Sequence, residues 1–482
     1  MHLDQWEDRN NAEVPIMEMT ALISGILNKK HCPEDLQILK SFTAALRDKE
    51  YRDAVNEAVF SALLRVLTRF TDEIRAAGQD VPSVTLELQM TAECFRVQRN
   101  ACVQSTGNQC LLRELGFIDV SLKLLNYLLT KLSQDDVLES VRCVIQFLGN
   151  IAVGNRQCKD DIWQLAFPNN FLQLLCLEDK KAVTYASMVM HTCLDEAKVE
   201  TMAEPQNISL ALKVMELCRT QPDIDWTVLI ATQHFLKSAV LVESMYTRMN
   251  HHDRVTLLEL LLAQMREEDA ECGVPPAVAS FLASSFQNGC NTVLTLATGS
   301  VLQEALTVIS LLDVLCEMTS DHREFMFLQD HPDLLANTTD LLAQVHAIGK
   351  SSKNIFSASQ NFSFSEEAGS SPYSPVISFK AHLIRLIGNL CHNKTDNQNK
   401  IRELEGIPLI LDNCNIDSNN PFINQWAVFA IRNLLQNNLE NQKLVASLEK
   451  CGVADYSRLR ELGFQVEERD GSLLLKPVRK DT

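Results

Sequence analysis

One spacing constrains this chain more than any other feature, and it occurs twice near the C-terminal end. Gly388-Asn389-Leu390 is followed by Asn397-Gln398, and Arg432-Asn433-Leu434 by Asn441-Gln442. Both gaps, from Asn to Asn, are eight residues, and the two copies stand 44 residues apart. Around the first copy Phe379, Leu383, Leu386, Ile387, Leu390 and Cys391 recur with the period of one helix face. His382, Arg385, Asn389 and His392 take the opposite face. Gly406-Ile407-Pro408 and Asn420-Pro421 read as helix junctions, because Pro suits a first helical turn and Gly a left-handed exit. One such unit cannot bury its apolar face alone, so neighbours must stack.

The pattern returns in the N-terminal half. Arg99-Asn100-Ala101 is followed by Asn108-Gln109, again eight residues from Asn to Asn. Gly149-Asn150-Ile151 comes 50 residues after Asn100, and its second Asn, Asn155, arrives early, as if the turn were shortened. Between the two pairs the repeats degenerate into helix-like stretches without the Asn. A period of this size built from apolar helices marks armadillo or HEAT repeats. With 16 Gly, 14 Pro and 6% aromatics, helices are favoured over sheet. The expected fold is all-α, an armadillo/HEAT-like α-solenoid. A short C-terminal β-hairpin is expected as well, from the alternation Phe464-Gln465-Val466-Glu467 and the turn signal Asp470-Gly471. The expected layout is a disordered start over 1–15 and armadillo-like repeats over 16–348. A Ser-rich flexible linker over 349–378, further repeats over 379–452 and a tail over 453–482 complete it.

Several function classes are disfavoured. A net charge of −18 opposes binding to nucleic acid or to anionic membranes. No apolar run reaches the ~18 residues of a membrane-spanning helix. Fifteen scattered cysteines without a CxxC read as reduced core thiols of a cytosolic or nuclear protein. No phosphate loop, GxSxG, HExxH or kinase signature occurs, so neither an enzyme nor a cofactor is expected. His251-His252-Asp253 reads as a helix start. Cys391-His392 with Cys414 fits no usual zinc spacing, so no metal is expected. In the Ser-rich segment Ser371 and Ser374 each precede a proline and are candidate phosphorylation sites. Ser370-Ser371-Pro372 also resembles the docking sequence read by polo-type kinases.

A polar ladder is the candidate binding feature. On four helices the motif Asn follows another side chain by one turn: Arg96 with Asn100, Gln146 with Asn150, Arg385 with Asn389, Phe429 with Asn433. Asn in a helix interior costs roughly 0.5 kcal/mol against Ala, which asks for a reason. One reason is a concave partner groove in which the amides hold an extended backbone. The other is that each Asn bonds the adjacent turn and shapes the repeat. Nuclear import receptors of this fold set Trp one turn before the Asn. Arg, Gln, Arg and Phe stand here instead, which speaks against recognition of basic localisation signals.

The runs LIRLIGNLC, GIPLILDNCNID, NPF and AIRNL resemble the C-terminal domain of the ataxin-10 family. The resemblance continues through ECFRVQRNAC, QFLGNIA, DRVTLLELLLA and LLDVLCEMT, over roughly residues 60 to 475. It implies a non-catalytic protein-interaction scaffold that supports neuron survival, neuritogenesis and cytokinesis. The implied location is cytoplasmic and perinuclear, with centrosome or basal body and midbody as further sites. The implied partners are O-linked N-acetylglucosamine transferase, a G-protein β subunit, mitotic kinases and, through the C-terminal domain, further copies of the same chain. The family's phosphorylated positions before ECFR do not carry over cleanly, since Thr91 is displaced by one residue. The competing expectation is a solenoid regulator of a G protein or of a glycosyltransferase activity.

Overall fold

The computed structural model describes residues 15–27, 31–78, 84–132, 135–266, 273–298, 302–320, 323–350, 354–357 and 376–448. It also describes the backbone of 464–469 and 472–477. The expected disordered start up to residue 14 and the candidate sites Ser371 and Ser374 lie outside these residues. The chain divides into two compact units, Met1–Phe325 and Met326–Thr482.

The first unit is a row of helices. Pro33–Ala45, Thr85–Ala101, Asp135–Ala152 and Lys180–Cys193 pack side by side, each against the next. The row continues through Asp225–Gln233, His251–Arg266 and Leu302–Met318. In Asp135–Ala152 Val137, Val141, Val144, Ile145, Leu148 and Ile151 form the centre of a broad buried face that Ser140, Cys143 and Phe147 widen on one side, as suits a helix with neighbours on both flanks. Phe95 and Phe147, both fully buried, meet between two of these helices with ring centroids 6.0 Å apart. Shorter helices, among them Thr106–Glu114, Arg156–Ala166 and Glu196–Met202, link one long helix to the next.

The second unit repeats the arrangement. Leu334–Gly349 packs on Phe379–Leu390, and Phe379–Leu390 on Ile423–Leu435. Thr395–Glu403, Gly406–Asp412 and Leu439–Ser447 are its short helices. Gly388 permits a close approach of two long helices: a Cβ there would come within 2.9 Å of the Phe429 ring and 3.1 Å of the Ala430 Cα. The backbone of Phe464–Arg469 pairs antiparallel with Ser472–Pro477, with Phe464 opposite Pro477.

The repeated turn is written into the backbone as well as into the side chains. Four residues after each motif Asn the chain takes a left-handed step, at Gln104 (φ 52°), Gly154 (73°), Asn393 (52°) and Asn437 (55°). Gly and Asn tolerate that conformation best. Within the Ser-rich segment expected as a linker, residues 354–357 are packed, and Phe356 is 1% exposed. No helix among the described residues is long and apolar enough to cross a membrane.

Candidate functional site: the asparagine ladder

The last carbonyls of a helix have no partner within it and must find one outside. The motif Asn supplies it to the preceding long helix. Asn100 Nδ2 donates to Thr43 O at 2.9 Å, Asn150 Nδ2 to Arg99 O at 3.0 Å, and Asn433 Nδ2 to Gly388 O at 2.9 Å. Arg99 and Gly388 each sit one residue before the preceding motif Asn. The clamp is therefore the same step, repeated.

The Asn-Gln pair eight residues on closes the helix it follows. Asn108, Asn397 and Asn441 donate to the carbonyls of Ala101, Leu390 and Leu434 at 3.0, 2.8 and 2.8 Å. Each Gln then reaches forward. Gln109 Nε2 donates to Asn150 O at 3.0 Å and Val153 O at 2.9 Å, and Gln398 Nε2 to Asn433 O at 2.9 Å. Clamp and reach together tie consecutive repeats through main-chain atoms, with no dependence on which side chains fill the surface.

Two members of the network escaped the sequence reading. Gln329 Nε2 donates to Asn389 O at 3.2 Å and to His392 O at 2.8 Å, the place that Gln109 and Gln398 hold elsewhere. Leu328 before it hides the dipeptide, and only its position ahead of a long helix could have revealed it. Arg52 serves the first repeat: its Nη1 reaches Leu46 O at 3.0 Å, and its own carbonyl accepts from Asn108 at 2.9 Å. Asn155 is a correction of another kind. The turn after Asn150 is not shortened, because Asn155 caps Arg156–Ala166 through Cys158 N at 3.1 Å, as Asn438 caps Leu439–Ser447 through Asn441 N. The place of Asn108 and Asn441 falls to Cys158, whose Sγ lies 3.9 Å from Gln109 O.

One turn before each Asn stand the half-buried Arg96, Gln146, Arg385 and Phe429. Arg96 and Gln146 are on adjacent helices of the first unit, inside a lattice of alternating charge. Arg96 donates to Glu93 at 2.9 Å and also pairs with Glu139. Arg142 bonds Asp179 at 2.5 Å and Glu139 at 3.4 Å, and Arg99 donates to Gln146 Oε1 at 2.6 Å. The Arg142 hydrogen bond holds the Asp179 carboxyl below its ordinary range. Glu93, 4% exposed, also accepts from Thr43 Oγ1. A cleft of about 160 Å³ opens there, lined by Lys40, Gln89, Glu93, Arg96, Asp136 and Glu139. In the second unit Arg385 and Phe429 are on adjacent helices. The Arg385 guanidinium lies 4.8 Å above the Trp426 ring, whose own edge meets Phe429 at 5.8 Å. Phe429 fills the space left by Gly388.

The side chains singled out for other chemistry have structural places. Asp253 opens His251–Arg266 with Asn250: its N–H donates to Asn250 Oδ1 at 3.0 Å, and its carboxylate also accepts from Arg219 at 2.7 Å. Burial pushes the thiols of Cys143, Cys158 and Cys193 up to about 12 and that of Cys218 to about 11, so they stay protonated as core groups. Among the described residues His31, Glu73 and Glu87 bring three ligating atoms within 4.8 Å, but Arg69 Nε already occupies Glu73 at 2.8 Å.

The chain is 43% identical over 442 residues to Ataxin-10 of Xenopus tropicalis, covering 90% of each chain. It is 40% identical over 457 residues to Ataxin-10 of Homo sapiens, covering 92% of this chain and 95% of that one. The chain belongs to the ataxin-10 family. A family profile described as the spinocerebellar ataxia type 10 protein domain matches residues 379–476, the stretch that holds both C-terminal copies of the Asn motif. The Ataxin-10 homolog of Dictyostelium discoideum is 48% identical over a shorter length, 103 residues or 21% of this chain. Among solved structures, Uso1-2 aligns at 11% identity with a TM-score of 0.44, over 87% of this chain and 73% of that one.

Proposed function

We propose that this family member is a non-catalytic scaffold for protein–protein interaction, and that its partner surface runs along the half-exposed polar faces of the long helices. The observation that supports it most is the charge lattice of Arg96, Glu139, Arg142 and Asp179 across three successive helices. Its backbone is fixed by the Asn clamps, so a partner meets side chains already ordered, and preorganisation lowers the cost of binding. Family membership favours roles in neuron survival, neuritogenesis and cytokinesis. The partners to test are O-linked N-acetylglucosamine transferase, a G-protein β subunit, mitotic kinases and a second copy of the chain. The expected locations are the cytoplasm and perinuclear region, with centrosome or basal body and midbody in dividing cells. The competing reading is a regulator of G-protein or glycosyltransferase turnover.

Titration calorimetry of the full chain against each purified partner tests the scaffold reading. Arg96→Ala/Gln146→Ala should weaken at least one of these complexes while leaving helicity unchanged. Undiminished binding by the double variant would remove the groove from the account. Accelerated nucleotide release or sugar transfer on adding the chain would favour the regulator instead.

A further inference from the structure

Residues 354–357, Asn-Ile-Phe-Ser, are seated on the second unit as a short clasp. Phe356 is 1% exposed and packs 6.4 Å from the Phe379 ring. Asn420 Nδ2 donates to Phe356 O at 2.7 Å, and Asn419 Nδ2 to Ile355 O at 3.2 Å. Asn354 bends the segment on itself: its Oδ1 accepts from Phe356 N at 3.0 Å and Ser357 N at 2.7 Å, and its Nδ2 donates to Gly349 O at 3.1 Å. The clasp thus joins the end of Leu334–Gly349 to the loop ahead of Ile423–Leu435.

Its last residue meets an ion pair. Lys380 Nζ donates to Ser357 Oγ at 2.6 Å and lies 3.4 Å from Asp417 Oδ2. The Lys380 and Asp417 side chains are 6% and 11% exposed. Burial pulls the Lys380 ammonium below its ordinary value, the mark of a charge with little solvent to spare. Nearby, Lys350 and Asp412 are both more than half exposed and face each other at 3.7 Å, so they largely offset one another. On the remaining side a Cβ placed on Gly349 would come within 2.5 Å of Ser357 Oγ, so the hydroxyl is already hard against that backbone.

We propose that Ser357 is a phosphorylation site whose modification expels the 354–357 clasp from its seat. A phosphoserine carries about −1.5 to −2 charges at neutral pH. Lys380 is one cation and Asp417 already opposes it, so the seated phosphate leaves an excess of negative charge in a poorly hydrated place. Gly349 closes one further side of the hydroxyl, so a phosphate three oxygens larger does not fit between that backbone and Lys380. The half-buried hydroxyl is reached from the opened conformer, by local release of a short segment. A protein kinase transfers the γ-phosphoryl group of ATP: the bond from γ-phosphorus to the bridging oxygen breaks, the Oγ–P bond forms, ADP leaves with the electron pair, and the hydroxyl proton passes to the kinase base. The phosphate then prevents the clasp from reseating, which is a shift of population. Release uncovers Phe356, Phe379 and Lys380 together.

The test uses the full chain with phosphoserine installed at 357, followed by hydrogen exchange of the Phe356 and Ser357 amides. A segment of the first unit serves as internal reference. Exchange at both amides should quicken by about tenfold or more in the phosphorylated form. Ser357→Ala should stay protected, since Phe356 and the Asn bonds remain. Asp417 also accepts from Asn420 Nδ2 at 2.9 Å, so Asp417→Asn is read against the same variant without phosphate: there phosphoserine should cost far less protection, because Lys380 then pairs with the phosphate. The proposal is overturned if the phosphorylated chain stays as protected as the unmodified one. It is equally overturned if Ser357→Ala opens the clasp to the same extent, or if phosphoserine costs the Asp417→Asn form as much protection as it costs the chain with Asp417.

Discussion

A glutamine at one repeat position has two different environments in this chain, and that difference is measurable. Gln398 is 2% exposed and reaches Asn433 O on the next long helix. Gln442, its counterpart 44 residues on, is exposed and donates to Leu435 O at 2.8 Å. Gln398→Ala leaves buried carbonyls unmet and should cost about 1–3 kcal/mol, read by native-state hydrogen exchange in Ile423–Leu435. Gln442→Ala, at a solvated site, should cost less than about 0.5 kcal/mol. Equal costs would mean that the forward reach contributes nothing. Asp179 makes a second residue-scale case, since it pairs with Arg142 and caps Lys180–Cys193 through Ala182 N at 2.8 Å. Its folded pKa is lowered, so the pair stabilises the fold at pH above the unfolded value of about 3.9 and loses that effect as pH falls through the folded value. The stability gap between the unmodified chain and Asp179→Asn, measured by urea titration, should therefore be open at pH 6 and shrink below about pH 4. A gap that does not change with pH would mean that the pair contributes no charge-dependent stability.

At the scale of the helix, Gly388 sets the spacing between Phe379–Leu390 and Ile423–Leu435. Gly388→Ala would normally favour a helix interior by about 1 kcal/mol. Here its Cβ meets the Ala430 backbone, which cannot swing aside as a side chain can, so overpacking of about 1–3 kcal/mol should win and the unit should be destabilised. A thermal melt with a raised midpoint would contradict this. The same packing explains what the sequence could and could not disclose. Asn100, Asn150 and Asn433 are legible because the clamp needs an amide at a fixed step from a helix end, and few residue types can replace it. Among the described residues, no Asn of the middle of the first unit makes such a clamp to the preceding long helix. Lys180–Cys193 and Asp225–Gln233 hold their places by apolar packing, for which many sequences serve, so repeat boundaries there leave no signature. Gln329 was hidden because its partner position is the apolar Leu328, and Asn155 misled because a capping Asn and a clamping Asn look alike in one dimension. The clasp at 354–357 was hidden for a related reason: one buried Phe among serines has no period to betray it.

For the molecule as a whole, the question is what covers the last long helix among the described residues, Ile423–Leu435. An inner helix is covered by its successor: Ile384 is fully buried and Gly388 touches Phe429. The counterparts on Ile423–Leu435 are Val428, which is 59% exposed, and Arg432, which is also exposed. Gln425 stands where the preceding repeat has Ala381. Polar residues thus replace the small ones that would admit another close-packed helix, while Val428, Phe422 (70% exposed) and Leu439 (70%) keep an apolar component. Such a surface suits a contact that is looser than a further repeat, and two identical ends related by a two-fold axis would bury both at once. That arrangement is the self-association we propose, and it assigns the contact to a definite set of side chains. Sedimentation of the full chain across micromolar concentrations should show a dimer or larger species. Val428→Asp with Leu439→Asp should shift it to monomer without loss of helicity, since neither residue belongs to the core. If the unmodified chain sediments as a monomer throughout, or the double variant associates as strongly, this face of Ile423–Leu435 is closed by polar capping alone and the C-terminal contact is wrong.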